Sequence, residues 1–263
     1  MNRLFGIGEN MTVQNKDESF KLHVHDNYEI LLFLEGDAKY IVEQNVYTLQ
    51  PYDIIVIRKN QLHRVMLNSP AKYHRMVLNV FPEFFSVNRC TEYEKQFIDP
   101  CSEVGSKIDA ETVKNSGLFD AFVRIKEYSN NFTEKNTPIV RAGIIEILYL
   151  INNIKSYSKS KTDPIQLKEI ISFINKNFTQ NLSLDELEKL FYISKYHLCH
   201  IFPAVTGITV HQYITKKRLI LAKDMIKSGT SASEAAKHSG FNNYSTFYRA
   251  YINEYGVSPN SQR

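Results

Sequence analysis

The residues best suited to chemistry near the start of the chain are His23-x-His25-x3-Glu29, joined further on by His63. Imidazole nitrogens and a carboxylate are the donors that hold non-haem iron, manganese or zinc. Side chains alternate along a strand, so His23, His25 and Glu29 share one face if the strand is regular. Two readings stay open. In one, the four side chains line a ligand pocket or satisfy one another, and neither a metal nor another cofactor is called for. In the other they hold a metal, with His23, His25, Glu29 and His63 as its ligands. Tyr28, Tyr40 and Arg75 are further polar residues that can face such a pocket. Nothing else in the chain resembles an acid–base pair or an activated nucleophile.

The elements that position these residues are legible in the spacing of apolar side chains. From about Phe20 to Phe81 the chain alternates short runs of Ile, Val, Leu, Tyr and Phe with turn-prone residues. The runs are Glu29 to Leu34, Lys39 to Val42, Asp53 to Ile57 and Arg75 to Val80. The breaks fall at Glu35-Gly36-Asp37, Pro51, Lys59-Asn60 and Asn68-Ser69-Pro70. Such spacing predicts a β-sandwich or small barrel. From about Glu92 the period turns helical, over Ser116 to Tyr128 and over Pro138 to Ile154, with Pro138 placed near a helix start. Ser156 to Pro164 is polar, rich in Ser and Lys, and closed by a proline, which predicts a linker.

The chain has 263 residues, 43% hydrophobic and 23% charged, so it can bury a sizeable core and is not wholly disordered. The richest apolar stretch, Gly143 to Ile151, is interrupted by Glu146 and falls short of a membrane span. No secretory signal is visible over Met1 to Met11. Cys90, Cys101 and Cys199 form an odd, widely spaced set that fits neither a disulfide framework nor a zinc module, which points to a reducing cytoplasm. The formal net charge is +4, and residues 164–263 hold 12 Lys and Arg against 7 Asp and Glu. The basic surplus therefore lies in the C-terminal part, a mild pointer to nucleic acid.

That part contains an internal repeat at an offset of 49 positions. Ser194 corresponds to Asn243, Leu198 to Phe247, His200 to Arg249, Phe202 to Tyr251 and Gly207 to Gly256. Each copy begins with a capping signal, Ser183-Leu-Asp-Glu186 in one and Ser231-Ala-Ser-Glu234 in the other. A short helix, a tight turn and a second helix capped by Ser194 or Asn243 make a helix-turn-helix, present twice. The second helix of each pair offers free N–H groups and a positive dipole end to a phosphate. Its positions i, i+1, i+4 and i+5 can line a major groove. They are Lys195, Tyr196, Cys199 and His200 in the first copy, and Tyr244, Ser245, Tyr248 and Arg249 in the second. Arg249 can take a guanine bidentately. A longer helix over about Val210 to Lys227, with the apolar stripe Ile214, Leu221, Met225 and Ile226, separates the copies.

Residues 165–263 resemble the DNA-binding domain of AraC/XylS-type transcriptional regulators. The resemblance rests on Ile193-Ser194-x3-Leu198-x2-Ile201-Phe202, Thr206-Gly207 and Arg218-x3-Ala222. It continues through Ala235-Ala236-x3-Gly240-Phe241-x5-Phe247-x-Arg249 and Gly256-Val257-Ser258-Pro259. It implies that the helices after Ser194 and Asn243 are recognition helices and that Arg218 is a structural residue of the long helix. Pro203 departs from the pattern, where Lys is usual, and predicts a bend or early end to the first recognition helix. His200 stands where Arg is common, so the first copy should grip phosphate more weakly. Ala232, Ala235 and Ser239 are smaller than usual, and Gln262 replaces a Tyr. The N-terminal spacing of His23, His25, Glu29, Gly36, Pro51 and His63 is similar to that of cupin barrels. There Arg58, Asn60 and Tyr52 stand in place of Pro and two glycines.

Together these features predict a two-domain α+β protein. Residues 1–157 form a cupin-like β-barrel that senses an effector, with a helical, dimerising segment from about residue 86. Residues 158–164 are the linker. Residues 165–263 form an all-α domain of two helix-turn-helix units joined by a long helix. The resemblance implies a cytoplasmic, effector-responsive transcription activator that is not an enzyme. Its implied partners are double-stranded DNA, a small molecule, a second copy of the chain and RNA polymerase, with no membrane. The alternative is a metal-dependent cupin enzyme with a helical tail, resting on His23, His25, Glu29 and His63 alone.

Overall fold

The computed structural model describes residues 4–13, 20–70, 72–98, 106–130, 132–154 and 165–262. The expected linker at 158–164 and Cys101 lie outside them. The chain divides into two compact units, Met1–Lys161 and Thr162–Arg263. Among the described residues no helix is long and apolar enough to cross a membrane.

Among the described residues the first unit carries eight strands: β1 (Phe5–Val13), β2 (Tyr28–Glu35), β3 (Ala38–Val42), β4 (Asn45–Thr48), β5 (Ile54–Ile57), β6 (His63–Leu67), β7 (Lys72–Val80) and β8 (Lys107–Ile108). They form an antiparallel five-stranded sheet, β1-β7-β2-β5-β8, and an antiparallel three-stranded sheet, β4-β3-β6. Among the described residues five α-helices belong to the same unit: α1 (Pro82–Val87), α2 (Thr91–Ile98), α3 (Ala110–Asn115), α4 (Leu118–Ser129) and α5 (Thr137–Asn152). Pro138 occupies the first turn of α5, where a missing N–H costs nothing.

The large sheet is apolar on both faces, and alternation assigns each residue to a side. Ile30, Leu32, Ile54, Val56, Met76, Leu78 and Val80 pack outward against Phe84, Phe122, Ile125, Ile144 and Ile147 of the helices. Leu31, Phe33, Ile55, Ile57 and Tyr73 point the other way, into a second core shared with Tyr40, Val42, Tyr47 and Val65 of the small sheet. This explains the near-continuous apolar run of β2, since a strand covered on both faces has no polar side. The inward face also carries Glu29, Arg75 and Asn79. Register places Glu29 opposite Asn79, Leu31 opposite Val77 and Phe33 opposite Arg75.

Three turn residues bear on the likeness to cupin spacing. Tyr52 (φ 76°) and Asn60 (φ 64°) both adopt left-handed backbone, the conformation that glycine takes without cost. Tyr52 recovers some of that cost by packing edge-on against Phe119, with ring centroids 5.1 Å apart. Gly36 (φ 136°) approaches β7 so closely that a Cβ would lie 2.7 Å from the Lys72 carbonyl oxygen.

The second unit is helical: α6 (Ile165–Asn177), α7 (Leu184–Phe191), α8 (Lys195–Thr206), α9 (Val210–Lys227), α10 (Ala232–His238) and α11 (Tyr244–Tyr255). α9 buries Val210, Tyr213, Ile214, Leu219, Ile220, Ala222 and Ile226. The expected single stripe is therefore corrected: Leu221 and Met225 are only half-buried, because α9 packs against both helix pairs and buries more than one face. Its N-terminal half meets the first pair, with Tyr213 edge-on to Phe202 at 5.5 Å. Its C-terminal half joins Ala232, Ala235, Ala236, Phe247 and Tyr251 in one core. The three residues that are smaller than usual for the pattern, Ala232, Ala235 and Ser239, are all buried.

Candidate nucleic-acid interface and ligand pocket

The two helix pairs repeat in detail. Ser183 caps α7 with a complete capping box, in which its hydroxyl accepts from Glu186 N and the Glu186 carboxylate accepts from Ser183 N. Ser231 caps α10 by accepting from Glu234 N at 3.2 Å. Tyr192 (φ 52°) makes the turn of the first pair and Gly240 (φ 95°) that of the second. A Cβ on Gly240 would lie 2.5 Å from the Thr179 carbonyl oxygen, so this turn needs glycine for two reasons. Ser194 caps α8 through His197 N, and Asn243 caps α11 through Ser245 N and Thr246 N. Both helices have 12 residues and end at a left-handed glycine, Gly207 or Gly256. Leu198 and Phe202 are the buried anchors of α8, and Phe247 and Tyr251 those of α11, each pair four residues apart.

Burying those positions leaves the opposite face to solvent. Ser194, Lys195, Tyr196, Cys199 and His200 are all exposed, and so are Asn243, Tyr244, Ser245, Tyr248 and Arg249. Tyr192, at 95% exposure, and Tyr196, at 85%, are apolar rings held in water beside the N-terminus of α8. The sequence reading missed Tyr192, because a tyrosine in left-handed backbone has no turn signature.

The two faces differ in charge. The Lys195 ammonium bonds Asp185 at 2.6 Å and lies 3.9 Å from Glu188, so its charge is partly offset within the unit. The same pairing raises the Lys195 pKa and lowers that of Asp185. Among the described residues Arg249 makes only a long 3.4 Å contact to the Ser245 carbonyl, and the residue is exposed. Arg218 does what a structural residue should. It donates from Nε to Phe178 O at 2.7 Å and from a terminal nitrogen to Gln180 O at 2.8 Å, and it lies over the Phe241 ring. Of the bend or early end expected of α8, the early end is not found. The helix runs through Pro203 to Thr206, and Pro203 O accepts from Gly207 N at 2.8 Å. One missing N–H near the end of a 12-residue helix does not stop its last turn.

In the first unit a cavity of about 330 Å³ opens on the inward face of the large sheet. Its wall includes His23, Glu29, Tyr40, Tyr73, Arg75 and Asn79, with Gly6 and Gly8 of β1 opposite β7. Glycines there leave space where side chains would fill it. The Arg75 guanidinium lies over the Tyr73 ring at 4.6 Å and the Phe20 ring at 5.5 Å. Among the described residues, one Arg75 nitrogen and the Tyr73 hydroxyl are buried without a protein partner, which is unusual for polar atoms. Tyr28 does not belong to it: its ring packs on Phe85 and Phe97, and its hydroxyl donates to Glu94 at 3.0 Å.

The histidine cluster sits beside this cavity. The regular strand expected over His23 to Glu29 is not found. His23 forms an isolated bridge to His63, the backbone bends at Asp26 and Asn27, and β2 starts only at Tyr28. The bends fold the segment back, so His25 Nε2 still reaches Glu29 Oε2 at 3.2 Å. His23 and His25 thus meet Glu29 and His63 by a turn rather than by strand alternation. Burial pushes the Glu29 carboxyl up, but the His25 contact and the charges of His63, His25 and His23 together hold it below its usual range. His63, fully buried, is pushed down to about 3 chiefly by desolvation, partly opposed by the Glu29 charge.

A two-sheet domain with a ligand-sized cavity, carried on one chain with two helix-turn-helix pairs, defines a ligand-linked DNA-binding regulator. Comparison with known proteins agrees. Residues 12–132 match the AraC-like ligand binding domain, and residues 187–263 match a helix-turn-helix domain. The chain is 26% identical over 250 residues to the uncharacterised HTH-type transcriptional regulator YdiP of Escherichia coli, across 92% of this chain and 80% of that protein. It is 29% identical over 107 residues to the multiple antibiotic resistance protein MarA of Salmonella typhimurium, across 40% of this chain and 84% of MarA. Among solved structures, ToxT of Vibrio cholerae aligns over 98% of this chain and 97% of its own, at 16% identity and a TM-score of 0.40. The chain belongs to the AraC family of transcriptional regulators.

Proposed function

We propose that this regulator is an effector-responsive activator that reads two successive major grooves with α8 and α11. The observation that carries the proposal is the pair of capped helices in register, each presenting a polar, solvent-facing side opposite its buried anchors. Ser194, Lys195, Tyr196, Cys199 and His200 are the contacts from α8, and Asn243, Tyr244, Ser245, Tyr248 and Arg249 those from α11. The 18-residue helix α9 spans about 27 Å, the scale of one DNA turn of about 34 Å. With Lys195 already paired, α11 supplies the stronger grip.

The cavity beside Arg75 and Tyr73 is the effector site, and His23, His25, Glu29 and His63 form one end of it. Effector binding shifts the population of chains able to place both helix pairs on DNA. The regulator works as a homodimer in the cytoplasm, and as an activator it engages RNA polymerase. The exposed face of α5, with Ile139, Ala142 and Tyr149, supports dimerisation through that helix. Its likeness to transcriptional regulators supports a role without catalysis.

Selection of fragments from the source genome by the full-length protein tests this reading, with Arg249→Ala alongside. Enrichment of one motif by the wild type, with discrimination reduced at one position in the variant, is expected. Equal weakening on all sequences would make Arg249 a phosphate contact only. Failure of the wild type to enrich any motif, with or without cell extract as a source of effector, would overturn the proposal.

A further inference from the structure

The polar groups around the cavity divide into donors and acceptors. Alternation along β7 turns Tyr73, Arg75, Val77 and Asn79 toward it. Among the described residues that line it, Arg75 is the one Lys or Arg and Glu29 the one carboxylate. A guanidinium is always charged and only donates. The Tyr73 and Phe20 rings hold that of Arg75 by its π face, which leaves N–H groups at its edge. Its Nη1 is among the buried atoms without a partner, and so is the hydroxyl of Tyr73, a residue only 1% exposed. Burial raises the Tyr73 pKa, with Arg75 opposing in part, so the hydroxyl keeps its proton and can donate.

The other end accepts. A carboxylate has about four lone-pair sites. At Glu29 the Tyr40 hydroxyl takes one at 3.3 Å and His25 another at 3.2 Å, which leaves the rest for a ligand. His23 Nδ1 bonds the Lys21 carbonyl oxygen at 2.9 Å, so Nε2 of the neutral ring is an acceptor too. Glu29 pairs with Asn79, four residues along β7 from Arg75, or about 13 Å of strand. The two ends belong to one site. Burial raises the Tyr40 pKa first, Glu29 adds to the rise and Arg75 opposes it, so both charges reach that hydroxyl. Leu31 and Val77 pair between the ends.

We propose that the effector is a small hydroxylated monocarboxylate with the chemistry of a sugar acid. Its carboxylate lies on Arg75 and the Tyr73 hydroxyl, and its hydroxyl groups donate to Glu29 and His23. The proposal rests on the cavity being the effector site and adds the chemical class. A volume of about 330 Å³ is at the small end for ligand pockets, which run from about 300 to 1,000 Å³. A neutral sugar would leave the buried Arg75 donors without a charged acceptor. A dianion would bring a second negative charge toward Glu29 with one guanidinium to meet both.

The test is calorimetric titration of the full-length protein with D-glucuronate, D-galacturonate and D-gluconate. Glucose, galactose and sorbitol are their neutral counterparts, and glucose 6-phosphate and 6-aminohexanoate are the charged alternatives. At least one acid should bind one to one, about 10- to 100-fold tighter than its neutral counterpart. Arg75→Met should erase that preference, and Tyr73→Phe should reduce it about 5-fold. Gly8→Val narrows the cavity without touching either charge. Gly8 pairs with Val77, and a Cβ there meets only Asn10 Nδ2 at 3.4 Å. That variant should lose every ligand. Binding by none of the three acids would overturn the proposal. So would a preference for a neutral or alternative probe, or an acid preference that survives both Arg75→Met and Tyr73→Phe. If such a probe is lost in Gly8→Val, the class is wrong and the cavity remains the effector site. Binding that survives Gly8→Val would overturn the effector-site reading as well. Circular dichroism establishes that each variant is folded, and Tyr73→Phe keeps the test decisive if Arg75→Met is not.

Discussion

Asn243 separates the stability of the second recognition helix from its hold on DNA. Its side-chain oxygen accepts from Ser245 N at 2.8 Å and Thr246 N at 3.2 Å, two of the four amides that a helix start leaves unpaired. Asn243→Ala removes both bonds at an exposed site, where water replaces them in part, and should cost about 1 kcal/mol. For a unit of this size that is about 4–8 °C in melting temperature. Asn243→Asp keeps the acceptor and adds a negative charge at the positive end of α11, which is worth about 0.3–1 kcal/mol of added stability. On DNA the same charge faces phosphate. At about 5 Å and an effective dielectric between 20 and 80, the repulsion is about 1–3 kcal/mol, or about 5- to 150-fold in affinity. The two variants should therefore move in opposite directions in thermal unfolding followed by circular dichroism. Both should bind the selected site more weakly by fluorescence anisotropy, with the Asp variant more sensitive to low salt. An Asp variant that binds like the wild type at low ionic strength would refute the placement of α11 with its N-terminus on the DNA backbone.

Other outcomes follow from the same geometry. Asp185→Asn releases the Lys195 ammonium from its 2.6 Å ion pair, so DNA affinity should rise and the salt dependence should steepen by about one unit of log–log slope, measured by titration at several salt concentrations. Phe247→Ala empties a position that is 0% exposed in the core shared by α9, α10 and α11, and should cost about 3–5 kcal/mol, read from denaturant unfolding. Arg218→Lys cannot span both the Phe178 and Gln180 carbonyls and should lower the unfolding temperature while leaving sequence preference intact. Arg75→Met should abolish the response to effector in a reporter assay and leave operator binding in place, because Arg75 lines the cavity and belongs to the first unit.

Much of the DNA-binding unit could be read directly from sequence because its signals are local. The capping side chains Ser183, Ser194, Ser231 and Asn243 and the terminal glycines Gly207 and Gly256 recur at a fixed offset, and each makes the bond its type predicts. The first unit was legible in class but not in detail. β1 went unseen because Gly6, Gly8, Glu9 and Asn10 break its apolar alternation, and glycines stand there because that wall borders a cavity rather than a core. His23, His25 and Glu29 were grouped on the assumption of a regular strand, whereas the chain bends at the turn-prone pair Asp26-Asn27 and the flanking His23 and His25 are held by long-range pairing with His63 and Asn60. The ion pair that ties Lys195 to Asp185 also depends on how α7 packs on α8, which composition does not encode.

The most direct test of two-groove reading by one chain is hydroxyl-radical footprinting of the selected operator by the full-length protein, with wild type compared against Arg249→Ala and His200→Ala. Two protected elements about 10 base pairs apart on one face of the duplex are expected for each chain. The α11 element should fade in the first variant and the α8 element in the second. A single protected element per chain, or one that both variants weaken alike, would contradict the reading.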